Sequence, residues 1–183
     1  MELIAALRSL RAVRDYDATP VPDEMLDRWL DAARWCGSSR NSQPWRFVVV
    51  RDEQTRRVLA GLGDHAAHLA NAPVVVVVAG VEGPYPFSTV FDLGRVAQSL
   101  MLAAHADGVG SCIAVFEPAE NIDRARRALS VPDDMRVDLA LGFGHPARGD
   151  PRPNRPGEGT YRRGRLPLAD LIRRQRYDSS SSS

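Results

Sequence analysis

Apolar residues recur along this chain in two rhythms, one helical and one β-like, and their alternation predicts helices layered on strands. Leu3, Leu7 and Leu10 share one face of a first helix from Glu2 to Leu10. Arg8, Arg11 and Arg14 lie three apart, so a continuing helix would gather them on another face, as a solvated basic stripe or an anion site. Pro20 and Pro22 end that helix, because each disfavours α conformation in the residue before it. Pro22 then suits the first turn of a second helix, whose buried side is Met25, Leu26, Trp29, Leu30 and Ala33.

Strands are expected at Arg46 to Arg51, at Val74 to Val78, at Ser111 to Phe116 and at Met135 to Phe143. The unbroken Val74–Val78 run reads as a strand covered on both faces. Further helices are expected at Gln54 to Leu62, Phe87 to Asp107, Pro118 to Leu129 and Pro167 to Arg176, with one more turn around His65 to Leu69. The Phe87–Asp107 helix is apolar over much of its circumference, as in a central helix or a subunit interface. Gly, Pro and Arg dominate from His145 to Gly164, which reads as an extended arm without its own core. Strands alternating with helices give one layered domain, α/β or α+β, over residues 1–178, followed by a serine tail at 179–183 expected to be disordered.

Composition narrows the function classes. At 183 residues the chain can build one sizeable core. A formal net charge of +1 gives no overall field favouring nucleic acid or an anionic membrane. The two cysteines, Cys36 and Cys112, cannot make a disulfide framework and suggest a reducing compartment. No stretch is apolar for long enough to span a bilayer, and the start lacks a signal-peptide core, so a cytoplasmic protein is expected.

Candidate chemistry centres on the loop Ser38-Ser39-Arg40-Asn41-Ser42-Gln43, entered through Cys36-Gly37 and closed by Pro44-Trp45. Its amides, hydroxyls and backbone N–H groups suit either a flat heteroatom-rich ligand or an ordinary Ser/Asn turn. His65, His68, His105 and His145 lack zinc-like spacing, and the glycine pairs at Gly61/Gly63 and Gly108/Gly110 lack a third glycine for a dinucleotide fingerprint. No nucleophile elbow, P-loop or carboxylate pair is evident. An enzyme of this kind would rely on a bound cofactor. Arg11 and Arg14, with Arg163 and Arg165 in the arm, are candidate anion ligands, because a guanidinium matches a phosphate in geometry and charge.

The motifs, taken together, resemble the nitroreductase family of FMN-dependent oxidoreductases over most of the chain. The likeness runs through Arg11-Ala12-Val13-Arg14-Asp15-Tyr16, Ser38-Ser39-Arg40-Asn41-Ser42-Gln43-Pro44-Trp45 and Ala72-Pro73. It continues through Asp92-x-Gly94-x-x-x-Gln98, Gly108-Val109-Gly110-Ser111-Cys112 and Arg163-Gly164-Arg165-Leu166-Pro167. The resemblance implies a three-layer α/β/α sandwich around a mostly antiparallel sheet, in an intertwined homodimer with FMN at its interface and the 145–166 arm on the partner. It implies that NAD(P)H reduces FMN and that a nitroaromatic, quinone or related acceptor then takes the electrons at the same flavin N5. It also implies Arg11, Ala12, Arg14, Ser38, Ser39, Asn41, Ala114, Val115, Arg163 and Arg165 as cofactor-binding residues. Arg14 would stabilise charge at flavin N1 and the C2 carbonyl, with no protein residue acting as catalyst. Leu10, Ala12 and Gly37 depart from the family pattern, where Arg, Ser and Pro are usual. An FMN-sequestering protein without turnover, or a flavin dehydrogenase of peptide heterocycles, are the alternatives.

Overall fold

The structure, a computed structural model, describes residues 2–83, 85–147 and 165–175. The chain divides into two compact units, residues 1–151 and 152–183. In the first unit, α1 (Leu3–Ser9) and α2 (Asp23–Ala33) precede β1 (Trp45–Val50) and α3 (Glu53–Ala60). Then come β2 (Val74–Val81), α4 (Pro86–Ala106), β3 (Gly110–Val115), α5 (Ala119–Ala128) and β4 (Met135–Gly144). The four strands make one sheet in the order β1-β2-β4-β3, antiparallel throughout.

Two cores lie on the two faces of this sheet. On one face, Val74, Val76 and Val78 of β2 and Leu139, Leu141 and Phe143 of β4 meet Leu26 and Trp29 of α2 and Leu93, Val96 and Leu100 of α4. On the other, Val75, Val77, Ala140 and Ala114 meet Leu59 of α3, Leu69 and Ala125 of α5. Every valine from Val74 to Val78 is fully buried, as expected of a strand sandwiched between layers. Trp29 also donates its indole N–H to Asp107 at 2.8 Å, so α2 is pinned to the end of α4 by a polar bond as well as by packing. The acidic side chains Asp23 and Glu24 sit in the first turn of α2, where the helix dipole favours them. The α+β three-layer architecture therefore matches the expectation.

Two expectations are corrected. The first helix ends at Ser9, where Leu10 turns to φ −55, ψ 126, so Arg11 and Arg14 do not continue its face with Arg8. The apolar face of that helix is open in the described residues: Leu3 and Leu7 are exposed and only Ala6 is buried. In the second unit the last helix is a single turn, α6 (Leu168–Leu171), because Ile172 is extended at φ −99, ψ 128. The arm from 148 to 164 and the serine tail lie outside the described residues.

Replacing Leu93 removes the α4 side chain that meets both Val78-side packing and the bare backbone of Gly80, where a Cβ would stand 2.7 Å from Leu93 Cδ1. Leu93→Ala is expected to lower unfolding free energy by about 2–5 kcal/mol, read from urea denaturation midpoints.

Candidate functional site

β3 is an edge strand, and the site candidates collect around its free side. Phe116 N donates to Asp138 O at 2.8 Å, while Ser111 O accepts from Val13 N at 2.9 Å. In an antiparallel ladder this alternation turns the backbone of even-numbered residues toward β4 and of odd-numbered residues outward. The backbone of Ala114 is therefore engaged with Ala140, whereas that of Val115 faces the free edge. The side chains of Ile113 and Val115 are partly open to solvent on the α4 side of the sheet.

The Arg11–Asp17 segment runs beside that edge and is tied down on both sides of Arg14. Ala12 bridges to Ser111 and Tyr16 to Pro146. Asp17 N donates to His145 O at 2.9 Å, and Ala147 N to Asp15 O at 3.1 Å. The Tyr16 hydroxyl contacts the carbonyls of Val13 at 2.6 Å and Gly142 at 3.1 Å. Burial, with a further push from Cys112, holds that phenol protonated far above its ordinary range. Gly110 permits the close approach, since a Cβ there would stand 2.7 Å from that of Val13. Arg14 is exposed and takes part in no ion pair among the described residues. Arg11 donates from one terminal nitrogen to the carbonyls of Arg8 and Leu10, both at 2.7 Å, leaving its other N–H groups for a ligand.

Behind the segment lies His68, one of the four histidines without zinc-like spacing. Its ring nitrogens face His65 O at 3.0 Å and Cys112 O at 3.1 Å. A neutral imidazole donates to only one of these carbonyls. Burial nevertheless dominates and depresses the His68 pKa below its ordinary 6.5, with the Arg14 charge acting in the same direction.

The polar loop forms the other group of candidates. Ser39–Asn41 is a single 3-10 turn, and Arg40, Asn41 and Gln43 adopt φ of 53, 56 and 47. Left-handed backbone costs on the order of 1–3 kcal/mol at a residue such as Arg or Gln, less at Asn. Ser38 Oγ accepts from Gln43 N at 2.9 Å, so Ser38 closes the turn. Ser39 N donates to the Asp92 carboxylate at 2.8 Å, and the side chains of Ser39 and Asn41 are exposed. Asp92 was legible as part of a helix motif, but its carboxylate contact was not foreseen. The available signal was a charged residue one turn before Val96 and next to Leu93, in a stripe that is otherwise apolar.

The other candidates are not brought to this place. Arg163 lies outside the described residues, and Arg165 is exposed in the second unit, so neither is placed relative to β3. No metal-binding group of His, Cys, Asp or Glu occurs among the described residues. No described helix is long and apolar enough to cross a membrane.

The sequence profile of the nitroreductase family matches residues 7–69 and 63–145, covering both the Arg11–Asp17 segment and the polar loop. The chain belongs to the nitroreductase family. Among relatives, an NADH dehydrogenase of Thermus thermophilus is 30% identical, with 92% of this chain and 93% of that protein covered. An FMN-dependent nitroreductase from Clostridium difficile matches in structure with a TM-score of 0.76 at 26% identity, covering 81% of this chain and 90% of that one. The NADPH:FMN oxidoreductase of Vibrio harveyi, solved with NAD+, matches with a TM-score of 0.79 at 22% identity, over 96% of this chain and 77% of that one. At that identity the likeness concerns the fold of this nitroreductase-family chain.

Because the His68 pKa is lowered in the folded state, the unfolded chain takes up the proton first as the medium is acidified. Its stabilising contribution is complete above about pH 6.5 and is lost as pH falls from there toward the folded value. Urea midpoints are expected to drop between roughly pH 7.5 and pH 5, and the drop is expected to be smaller in His68→Gln.

Proposed function

We propose that this nitroreductase-family protein is an FMN-dependent oxidoreductase that draws on NAD(P)H and reduces a small organic acceptor such as a nitroaromatic or a quinone. The observation that carries the reading is the exposed Arg14, whose backbone is tied down on both sides beside the outer edge of β3. The surroundings fit a flavin in three respects. The exposed Ile113 and Val115 offer an apolar surface, the outward backbone of Val115 offers hydrogen bonds, and Ser111 Oγ is buried with no hydrogen-bond partner among the described residues.

When bound, FMN supplies the electron transfer between nicotinamide and acceptor. Arg14 would offer its positive charge to the bound flavin, from a backbone already pinned on both sides. Ala12 contributes backbone only, and its bridge to Ser111 keeps it in line with the edge. Arg11, with the motif residues Arg163 and Arg165, is assigned to the phosphate. Ser38, Ser39 and Asn41 form a second wall, and Ala114 positions Val115 through the ladder with Ala140.

The same reading calls for a second copy of the chain. Leu3, Ile4 and Leu7 of α1, and Val90, Phe91 and Phe87 of α4, leave apolar side chains in water, Phe87 at 81% exposure. Ser9 Oγ lies 2.7 Å from His105 Nε2, so α1 is fastened against α4 with these residues still open. A homodimer would cover them and bring the partner's loop to the β3 edge. The unpaired Cys36 and Cys112 suit a cytoplasmic, reducing setting.

Purified protein supplied with FMN is expected to oxidise NADPH or NADH with a nitrofuran or quinone as acceptor. A protein that takes up no FMN and oxidises neither nucleotide overturns the proposal. Arg14→Ala is expected to weaken FMN binding by about 1.5–3 kcal/mol, a roughly 10- to 150-fold rise in Kd by fluorescence titration. Light scattering on the eluted protein is expected to give twice the 20.1 kDa chain mass, and the chain mass itself would remove the dimer.

A further inference from the structure

The Ser38–Gln43 loop holds a backbone that its own residues do not favour. Arg40, Asn41 and Gln43 are all left-handed, and of the three only Asn adopts that region readily. Backbone of this kind persists where its surroundings over-determine it. Asn41 N to Ser38 O at 3.1 Å, Ser42 N to Ser39 O at 3.0 Å and Gln43 N to Ser38 Oγ at 2.9 Å close the turn upon itself. They do not fix it to the body of the domain. Contacts outside the loop do: Pro44 O accepts from Val81 N at 2.8 Å at the exit, Asp92 accepts from Ser39 N at 2.8 Å at the entrance, and the Arg40 guanidinium lies 5.1 Å from the centre of the Tyr85 ring.

Asp92 is a costly residue to keep at this place. It is 2% exposed, on the side of α4 that buries Leu93 and Val96. A buried carboxylate is tolerated when it is hydrogen-bonded and paired. The N–H of Ser39 supplies the short hydrogen bond, and the Arg95 guanidinium stands 3.5 Å away as the counter-charge. Arg95 also closes over the loop entrance, where a Cβ on Gly37 would meet its Nη2 at 2.9 Å. The core of α4 thus reaches the loop through one carboxylate.

We propose that Asp92 is a positioning residue for cofactor binding: its buried carboxylate holds the Ser39 N–H and so fixes the left-handed loop that presents Ser39 and Asn41. This rests on the reading of that loop as a wall of the FMN site. Asp92 touches neither cofactor nor substrate and acts through the backbone of Ser39.

The full-length protein, Asp92→Ala and Asp92→Asn are compared by two measurements. The first is brief trypsin treatment with mass spectrometry, following cleavage at Arg40–Asn41 against cleavage at Arg57–Val58 as internal reference. The second is FMN titration with the visible circular dichroism of the bound flavin. Asp92→Ala is expected to speed cleavage at Arg40 relative to Arg57 by at least about tenfold, and to raise the FMN Kd by a similar factor with an altered flavin signal. Asp92→Asn retains an oxygen acceptor for Ser39 N–H and is expected to stay within about threefold of the unmodified protein in both. If Asp92→Ala does not fold, Asp92→Ser replaces it with the same expectations. Unchanged relative cleavage at Arg40 in a folded Asp92→Ala protein overturns the anchor, as does unchanged FMN affinity where the unmodified protein binds FMN. If the unmodified protein takes up no FMN yet the Arg40 site opens in Asp92→Ala, the anchor stands and the FMN reading falls.

Discussion

The pairing of β2 with β4, buried on both faces, is the constraint from which the rest of the unit follows. Five consecutive valines cannot face water, so a layer must cover each side of the sheet. α2 and α4 cover one side; α3, the turn at Ala67–Ala70 and α5 cover the other. Those layers are broad enough for β2 and β4 but not for the outer strand. β3 is left with Ile113 and Val115 partly open and, among the described residues, with one backbone edge unpaired beyond the bridge to Ala12. The candidate site is where the covering runs out.

The Arg11–Asp17 segment borders that edge, while the polar loop leads into β1 at the other end of the sheet, and each is stiffened by a different polar device. The Arg11–Asp17 segment is laced to β3 and to the residues after β4 by backbone bonds, with the Tyr16 hydroxyl bridging to Gly142. The polar loop is held from beneath by Asp92 on α4. Both devices use polar groups in buried or half-buried places, where an unmade hydrogen bond is costly and a made one is hard to displace. A ligand arriving at such an edge meets groups already in position, which lowers the ordering cost of binding.

The apolar side chains left in water on α1, α4 and β3 belong to the same logic. A monomer gains nothing from exposing Leu3, Leu7, Phe87 and Phe91 together, and patches of this kind on soluble proteins mark surfaces of association.

The order and type of the elements were determined by the sequence itself. β-branched runs, helical apolar stripes and Pro/Gly breaks are local signals, and they act over distances that a short window of residues contains. The polar loop and the Arg11–Tyr16 motif were legible for the same reason. Other features were decided only by tertiary structure. That α1 stops at Ser9 and sends Arg11 and Arg14 along β3 depends on a bond from Val13 to Ser111, nearly a hundred residues away in sequence. That Val115 and not Ala114 turns its backbone outward depends on the register of β3 against β4. His68 and Asp92 looked like an ordinary histidine and one letter of a helix motif; their roles emerged where Cys112 and Ser39 were folded against them. Local periodicity sets which face of an element is apolar, but only the assembled layers decide which polar groups are buried opposite one another.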